Sequence, residues 1–260
     1  MIYVTFTCLP SRINNIETIF EALSLQTKVP DKIIINYPEK CLRLNMNYDI
    51  DNLKNKINNT QLSDKIYLNI TKDYGPITKI YPIIHLNFIK NDDIIIVIDD
   101  DNFYNKYLIE ELYNNFMKNE EKEAICVSGL IYPRTLNSQY YCMNPGFNCE
   151  LMEAAFGYII KRSFLKDDLN HWVIDEKIEN YIQVKENNFE NCFLSDDYLI
   201  SRYLDVHKIK KRVLNFTPLI HKGICFQNFI NSNDALSLLG LNLDKYYMAE
   251  KELINKGLIY

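Results

Sequence analysis

Three consecutive carboxylates, Asp99-Asp100-Asp101, close the most hydrophobic run of the chain, Ile94-Ile95-Ile96-Val97-Ile98, and the turn residue Asn102 follows at once. A buried strand that delivers several carboxylates to its carboxyl end concentrates negative charge where a sheet opens to solvent. Such charge is tolerable when a divalent cation neutralises it. A hard cation at Asp99-x-Asp101 would take one or two carboxylates and leave its other positions to phosphate oxygens and water. An acidic turn can also be merely solvated, but ligands of open α/β sheets collect beyond the carboxyl ends of the strands, and that placement favours the cation.

Two further segments carry chemistry. In Asp73-Tyr74-Gly75-Pro76-Ile77-Thr78-Lys79, glycine allows close backbone approach, proline pre-sets a first helical turn, and Lys79 adds a cation where a helix start already attracts anions. A well-capped helix with an exposed lysine would look the same. Ser195-Asp196-Asp197 suits a helix start, with Ser195 as cap and the acids favoured by the dipole. A second acidic pair far from a metal-site candidate is also what a transfer reaction needs, one group holding a leaving diphosphate and another deprotonating an acceptor hydroxyl. Of the histidines, His85 reads as helical packing and His171 and His207 as surface positions. His221 follows the apolar Pro218-Leu219-Ile220 and precedes Lys222-Gly223, a turn able to bring imidazole to a metal and lysine to a phosphate.

The elements that must position these groups alternate strand and helix through the first half, the pattern of βαβ units and a mostly parallel sheet. Strands are expected at Ile2 to Cys8, Lys32 to Asn36, Lys65 to Ile70, Asp93 to Asp99 and Ala124 to Ser128. Ile16, Ile19, Phe20 and Leu23 recur at helical spacing. A modest helix falls within Leu42 to Asn59, a helix opened by proline runs from Pro76 to Ile89, and another from Asn105 to Lys118. The second half is less regular, with strands at Phe156 to Ile160 and Val213 to Phe216 and helices at Asp196 to Val206, Asp234 to Leu239 and Leu243 to Ile254. No internal repeat or low-complexity linker divides the chain, so a single α/β domain over 1–260 is expected.

At 260 residues and 47% hydrophobic composition the chain can bury a substantial core. A net charge of −5 with lysines scattered among acids argues against nucleic-acid binding. The one basic cluster, Lys208 to Arg212, reads as a solvated helix end leading into a strand, with contact to a phosphate or an acidic membrane as the alternative. The amino terminus lacks the pattern of a signal peptide, and no segment approaches a membrane-spanning length. Seven dispersed cysteines without a CxxC pair point to reduced thiols. The expected compartment is cytoplasmic, the host cytoplasm for a viral chain.

Taken in order, the motifs resemble those of GT-A-type, family-2-like nucleotide-sugar glycosyltransferases, in particular small enzymes of viral and bacterial glycan pathways. The resemblance runs from about Tyr3 to about His221. It is carried by Pro10-Ser11-Arg12, Ser24-Leu25 with Thr27, Pro30-Asp31-Lys32-Ile33, Arg43, Asp73-Tyr74-Gly75-Pro76-x-Thr78-Lys79, Ile98-Asp99-Asp100-Asp101 with Tyr104, Glu153-Ala154-x-x-Gly157, and Ser195-Asp196-Asp197. It implies a GT-A fold with a Rossmann-like central sheet, residues 1–104 forming a nucleotide-sugar half and 105–260 an acceptor half with closing helices. Pro10, Ser11, Arg12, Arg43, Asp73, Lys79, Asp99 and Asp100 then match positions that hold the nucleotide sugar. Asp99 and Asp101, with His221, match the metal site for Mn²⁺ or Mg²⁺, Asp101 being the direct ligand. Glu153 and Gly157 match the acceptor side, and Asp196-Asp197 supplies the base, Asp197 being favoured.

The implied reaction moves one sugar from a nucleoside-diphosphate donor, a UDP-sugar being favoured, to a hydroxyl of a glycan or glycoconjugate, with inversion. The lack of a Gln-x-x-Arg-Trp motif separates the chain from processive family-2 enzymes. A retaining transferase shares the fold and the acidic motif. A sugar-phosphate nucleotidyltransferase would use similar carboxylates but needs a Gly-rich triphosphate loop, and Pro10-Ser11-Arg12 stands in its place in a chain of only 7 glycines. A non-catalytic sugar-nucleotide or glycan-binding module would not need the second acidic pair.

Overall fold

The Ile-rich segments become the middle of one sheet. A computed structural model describes residues 1–131, 140–142, 146–173, 194–214, 225–228 and 244–259. Its strands are β1 (Ile2–Phe6), β2 (Lys32–Pro38), β3 (Lys40–Cys41), β4 (Met46–Asn47), β5 (Ile66–Thr71), β6 (Ile94–Val97), β7 (Asn102–Tyr104), β8 (Ala124–Cys126), β9 (Gly129–Ile131), β10 (Tyr140–Cys142), β11 (Leu151–Met152), β12 (Tyr158–Lys161), β13 (Lys211–Val213) and β14 (Cys225–Asn228). The α-helices are α1 (Ile16–Ser24), α2 (Ile50–Asn58), α3 (Leu108–Lys118), α4 (Leu169–Val173), α5 (Asp196–Val206) and α6 (Asp244–Asn255).

Seven strands form the central sheet in the order β13-β8-β12-β6-β1-β2-β5. The pairs β1·β2, β1·β6, β2·β5 and β8·β13 are parallel. Only β12 runs against its neighbours β6 and β8. The chain is thus a mixed α/β protein with a mostly parallel central sheet flanked by helices, as the alternation of strand and helix signals requires. Central strands covered on both faces read as unbroken apolar runs, and every residue of β6 is buried. At the edge, β5 is only partly buried and its sequence mixes polar and apolar residues. Helix α1 buries Ile16, Ile19, Phe20 and Leu23, and α3 buries Leu108, Ile109, Leu112 and Phe116. Among the described residues no helix is long and apolar enough to cross a membrane.

The structure corrects several expectations. In place of one helix from Pro76 to Ile89 stand two 3₁₀ turns, Ile77–Lys79 and Tyr81–His85. Pro82 is the cause, because its ring removes a helical N–H and pushes the preceding backbone out of the α region. His85 accordingly sits exposed, edge-on to the Tyr81 ring. The basic cluster follows the end of α5 and leads into β13, with Lys208 and Lys210 exposed, but its last two members are not solvated: Lys211 is buried in β13, donates to the Ser201 carbonyl (2.9 Å) and pairs with Asp205, while Arg212 grips Glu123 at 2.7 and 3.1 Å. His207 is half-buried and 2.9 Å from Asp168. Strand β13 ends at Val213, two residues after it begins. Residues 215–216, the expected helix Asp234 to Leu239, and His221 lie outside the described residues.

Two buried polar side chains interrupt the apolar strands for a reason. Thr5 in β1 donates its hydroxyl to the Lys79 carbonyl (2.6 Å). Asn36 in β2 donates its amide to the same carbonyl (3.1 Å) and to the Thr5 hydroxyl (3.0 Å), and accepts from Asn69 (2.8 Å). Fully buried, they convert sheet interior into an anchor for the turn that carries Lys79. Asn36→Ala should therefore destabilise the protein by about 2 kcal/mol, the scale of leaving buried polar groups unsatisfied. Thermal unfolding should show a loss of roughly 4–8 °C; an unchanged midpoint would mean the anchor carries no stability.

Candidate active site

One edge of the sheet collects the polar residues. The parallel strands β1, β5 and β6 all end there, releasing respectively the 3₁₀ turn Pro10–Asn15, the loop through Asp73, and the acidic triplet. Because β12 is antiparallel, with Tyr158 opposite Val97, the segment entering it comes to this same edge. Glu153 to Gly157 thus lie beside Asp99 to Asp101. Gly157 immediately precedes that strand at φ +93°, a left-handed conformation that L side chains rarely adopt, and is itself buried. Helix α5 presents its amino-terminal turn, with Asp196 and Asp197, from the other side of the loop.

Two buried cations knit these pieces together. Arg12 Nη1 lies 2.6 Å from Asp100 Oδ1 and 3.0 Å from Asp101 Oδ2, and the Leu9 N–H donates to the second Asp100 oxygen at 3.0 Å. Lys79, only 5% exposed, pairs with Asp99 and lies 2.9 Å from Asp196 Oδ2. Asp197 Oδ1 accepts the Ala154 N–H at 3.0 Å, tying α5 to the Glu153–Gly157 segment. The Met152 N–H to Ser201 hydroxyl bond, 2.9 Å, fixes the same two elements one turn further along. The Tyr104 hydroxyl accepts the Asp99 N–H (2.8 Å) and lies within 3.2 Å of the Ala155 carbonyl; Asn102 donates to Asp101 (3.2 Å) and to that carbonyl (2.7 Å).

Five carboxylates thus meet two cations, and the electrostatics record the imbalance. Burial raises Asp99 above the usual carboxylate range, with Lys79 pulling against it and Asp101 adding to it. Burial and the neighbouring Asp100 raise Asp101, against Arg12. Burial and Asp196 hold Asp197 well above its ordinary value. Burial alone would lower the Lys79 ammonium, but Asp196, Asp99 and Asp197 outweigh it and keep the lysine firmly charged. Glu153, bonded to Ser128, is raised by burial.

Among the described residues no three His, Cys, Asp or Glu side chains converge into a ready-made metal cage. Asp99 and Asp101 are the side chains that could give a divalent cation one or two carboxylate oxygens, the rest of its shell being left to ligand oxygens and water.

The other expected site residues are placed more loosely. Pro10 opens its 3₁₀ turn and Ser11 is exposed on it. Both Asp73 oxygens accept backbone N–H groups, from Leu42 at 2.7 Å and Gly75 at 2.8 Å; burial raises the carboxyl above its ordinary value, and these bonds and Arg43 only partly offset it. Asp73 therefore ties the Arg43 loop to the turn that leads to Lys79. Ser195 is the N-cap residue of α5 but makes no capping hydrogen bond. Thr5, Asn36 and Ser128 went unnoticed in the sequence; the signal was a polar residue within or directly after an apolar strand.

No protein-family model and no curated protein matches the sequence. Among solved structures the chain is similar to the Francisella tularensis 2-C-methyl-D-erythritol 4-phosphate cytidylyltransferase, at 13% identity over 93% of this chain and 97% of that one, with a TM-score of 0.42. It is also similar to residues 1–349 of S. aureus TarS, at 12% identity over 83% of this chain, with a TM-score of 0.48, and it spans 58% of that fragment.

The raised Asp197 carboxyl makes a signed prediction. A group whose folded pKa lies above its unfolded value supports the fold while protonated and loses that support as pH rises through the folded value. Asp197→Asn mimics the neutral form and keeps an acceptor for the Ala154 N–H. The variant should be more stable than the parent by about 1–2 kcal/mol at pH 8, and the gap should close towards about pH 3, below the ordinary aspartate value, where the side chain is protonated in both states. Thermal melts across that range check it; a variant less stable at pH 8 would contradict it.

Proposed function

We propose that the protein is a metal-dependent glycosyltransferase that moves one sugar from a nucleoside-diphosphate donor, with a UDP-sugar favoured, to a hydroxyl of a glycan or glycoconjugate, with inversion. The observation that carries this reading is the Lys79 bridge, which joins the acidic triplet to the Asp196-Asp197 pair at the carboxyl edge of the sheet. A cleft for binding alone has no use for two acidic elements held face to face. The absence of a Gly-rich loop after β1, where Pro10-Ser11-Arg12 form a 3₁₀ turn, weighs against a nucleotidyltransferase.

In this reading the donor diphosphate lies over the ends of β1 and β6. Asp101, with Asp99 beside it and His221 as a further candidate ligand, would hold Mn²⁺ or Mg²⁺, which when bound supplies Lewis-acid stabilisation of the departing diphosphate. Arg12 and Lys79 stand where they can share that developing charge. The acceptor oxygen attacks the anomeric carbon, the bond from that carbon to the diphosphate oxygen breaks, and the diphosphate leaves with the bonding pair. Asp197 receives the acceptor proton. Its raised pKa suits it to that role, since a base works best when its pKa approaches the working pH, and its contact with Ala154 orients it beside the Glu153–Gly157 segment.

Incubation with Mn²⁺ and a panel of sugar nucleotides should release nucleoside diphosphate, and NMR of the glycoside product should show the inverted anomer. Asp101→Asn should lower the rate by about 10²–10³-fold or more with the circular-dichroism spectrum unchanged. A fully active variant, or pyrophosphate released from a nucleoside triphosphate in place of diphosphate from a sugar nucleotide, would overturn the reading.

A further inference from the structure

Lys79 is an unusual lysine. Its backbone carbonyl is clamped by Thr5 and Asn36 from beneath the sheet edge, at 2.6 and 3.1 Å, and its ammonium is clamped between Asp99 and Asp196. With both ends fixed and 5% of the residue exposed, it is a buried strut and not a surface arm reaching for a passing phosphate. The ammonium occupies the space between the two acidic elements, and Arg12 covers Asp100 and Asp101 in the same way. The protein therefore carries its own counter-cations at the place where an added cation would go.

We propose that Lys79 is an internal counter-ion that competes with the divalent cation for Asp99, so that the ligand-free protein binds the metal weakly and admits it together with the diphosphate. This inference rests on the transferase reading for the identity of the diphosphate. A dipositive ion about 4 Å from the ammonium meets a strong Coulomb repulsion in a partly buried site. A diphosphate brings the negative charge that offsets that repulsion and offers Lys79 a new partner. While the cleft is empty, the same strut keeps Asp196, and through it the turn carrying Asp197, facing the triplet. Lys79 thus positions the base and excludes the metal in the ligand-free protein, and turns to the diphosphate once metal and donor enter together.

The test uses Mn²⁺ alone, read by the electron paramagnetic resonance of the unbound ion, with no donor or acceptor present. Lys79→Met, close in length but uncharged, should bind Mn²⁺ at least tenfold more tightly than the parent. Lys79→Arg should stay near the parent's affinity. Adding UDP should raise the parent's Mn²⁺ affinity by a larger factor than the variant's. If removing Lys79 leaves the acids too strained to fold, the charge-balanced Lys79→Met/Asp196→Asn protein serves in its place, with the same expected tightening. Loss of a merely structural lysine would weaken metal binding or leave it unchanged, and either result overturns the proposal. Tightening without any sugar transfer would uphold the counter-ion and reject the transferase, whereas transfer by the parent without tightening in the variants would do the reverse.

Discussion

Everything at the carboxyl edge of this sheet answers one electrostatic constraint, the crowding of five buried or half-buried carboxylates within reach of one another. Ionised acids removed from water are costly unless paired, and here the pairing is supplied by two cations that arrive from different loops. Arg12 comes from the turn after β1 and Lys79 from the turn after β5. Each must be held rigidly, because a mobile cation would leave its partners uncompensated. The sheet provides that rigidity by giving up apolar surface at Thr5 and Asn36 for hydrogen bonds to the backbone of the Lys79 turn.

The reversed direction of β12 serves the same end. A parallel strand in that position would deliver its carboxyl terminus to the edge, whereas the antiparallel one delivers its entry segment, and with it the Ala154 N–H that holds Asp197. Tyr104 and Asn102 join this segment to the triplet through the Ala155 carbonyl. The acidic triplet and the segment that holds Asp197 are thus tied by backbone contacts in addition to the lysine, the preorganisation that the proposed transfer would need. The local surplus of negative charge that remains is the feature a cation and its diphosphate would exploit.

How much of this was legible in the sequence follows from how local each signal is. The β6 strand and its triplet stood out because an unbroken apolar run and a charged end coincide in eight residues. Helix α5 begins at Asp196, where its acidic first turn places it. The Pro76 to Ile89 segment failed because the helical signal of Pro76 was weighed without Pro82, whose ring forbids the continuation. Lys211 looked solvated because its partner Asp205 and the carbonyl of Ser201 meet it only after α5 folds back onto β13. The role of Lys79 was only half visible: its cationic character could be read beside Gly75 and Pro76, but its double clamp depends on β1, β2, β6 and α5 at once. Long-range pairing of that kind leaves no periodic trace in the chain.

The central claim is that the carboxylates at the end of β6 receive a divalent cation together with a nucleoside diphosphate. Crystals of the protein soaked with Mn²⁺ and UDP, measured at a wavelength that gives manganese an anomalous signal, test it most directly. The account predicts an anomalous peak against Asp101, the diphosphate spanning that ion and Lys79 or Arg12, and the nucleoside over the carboxyl ends of β1 and β2. Manganese and UDP bound away from Asp99 to Asp101, or a cleft that takes up neither, would contradict it.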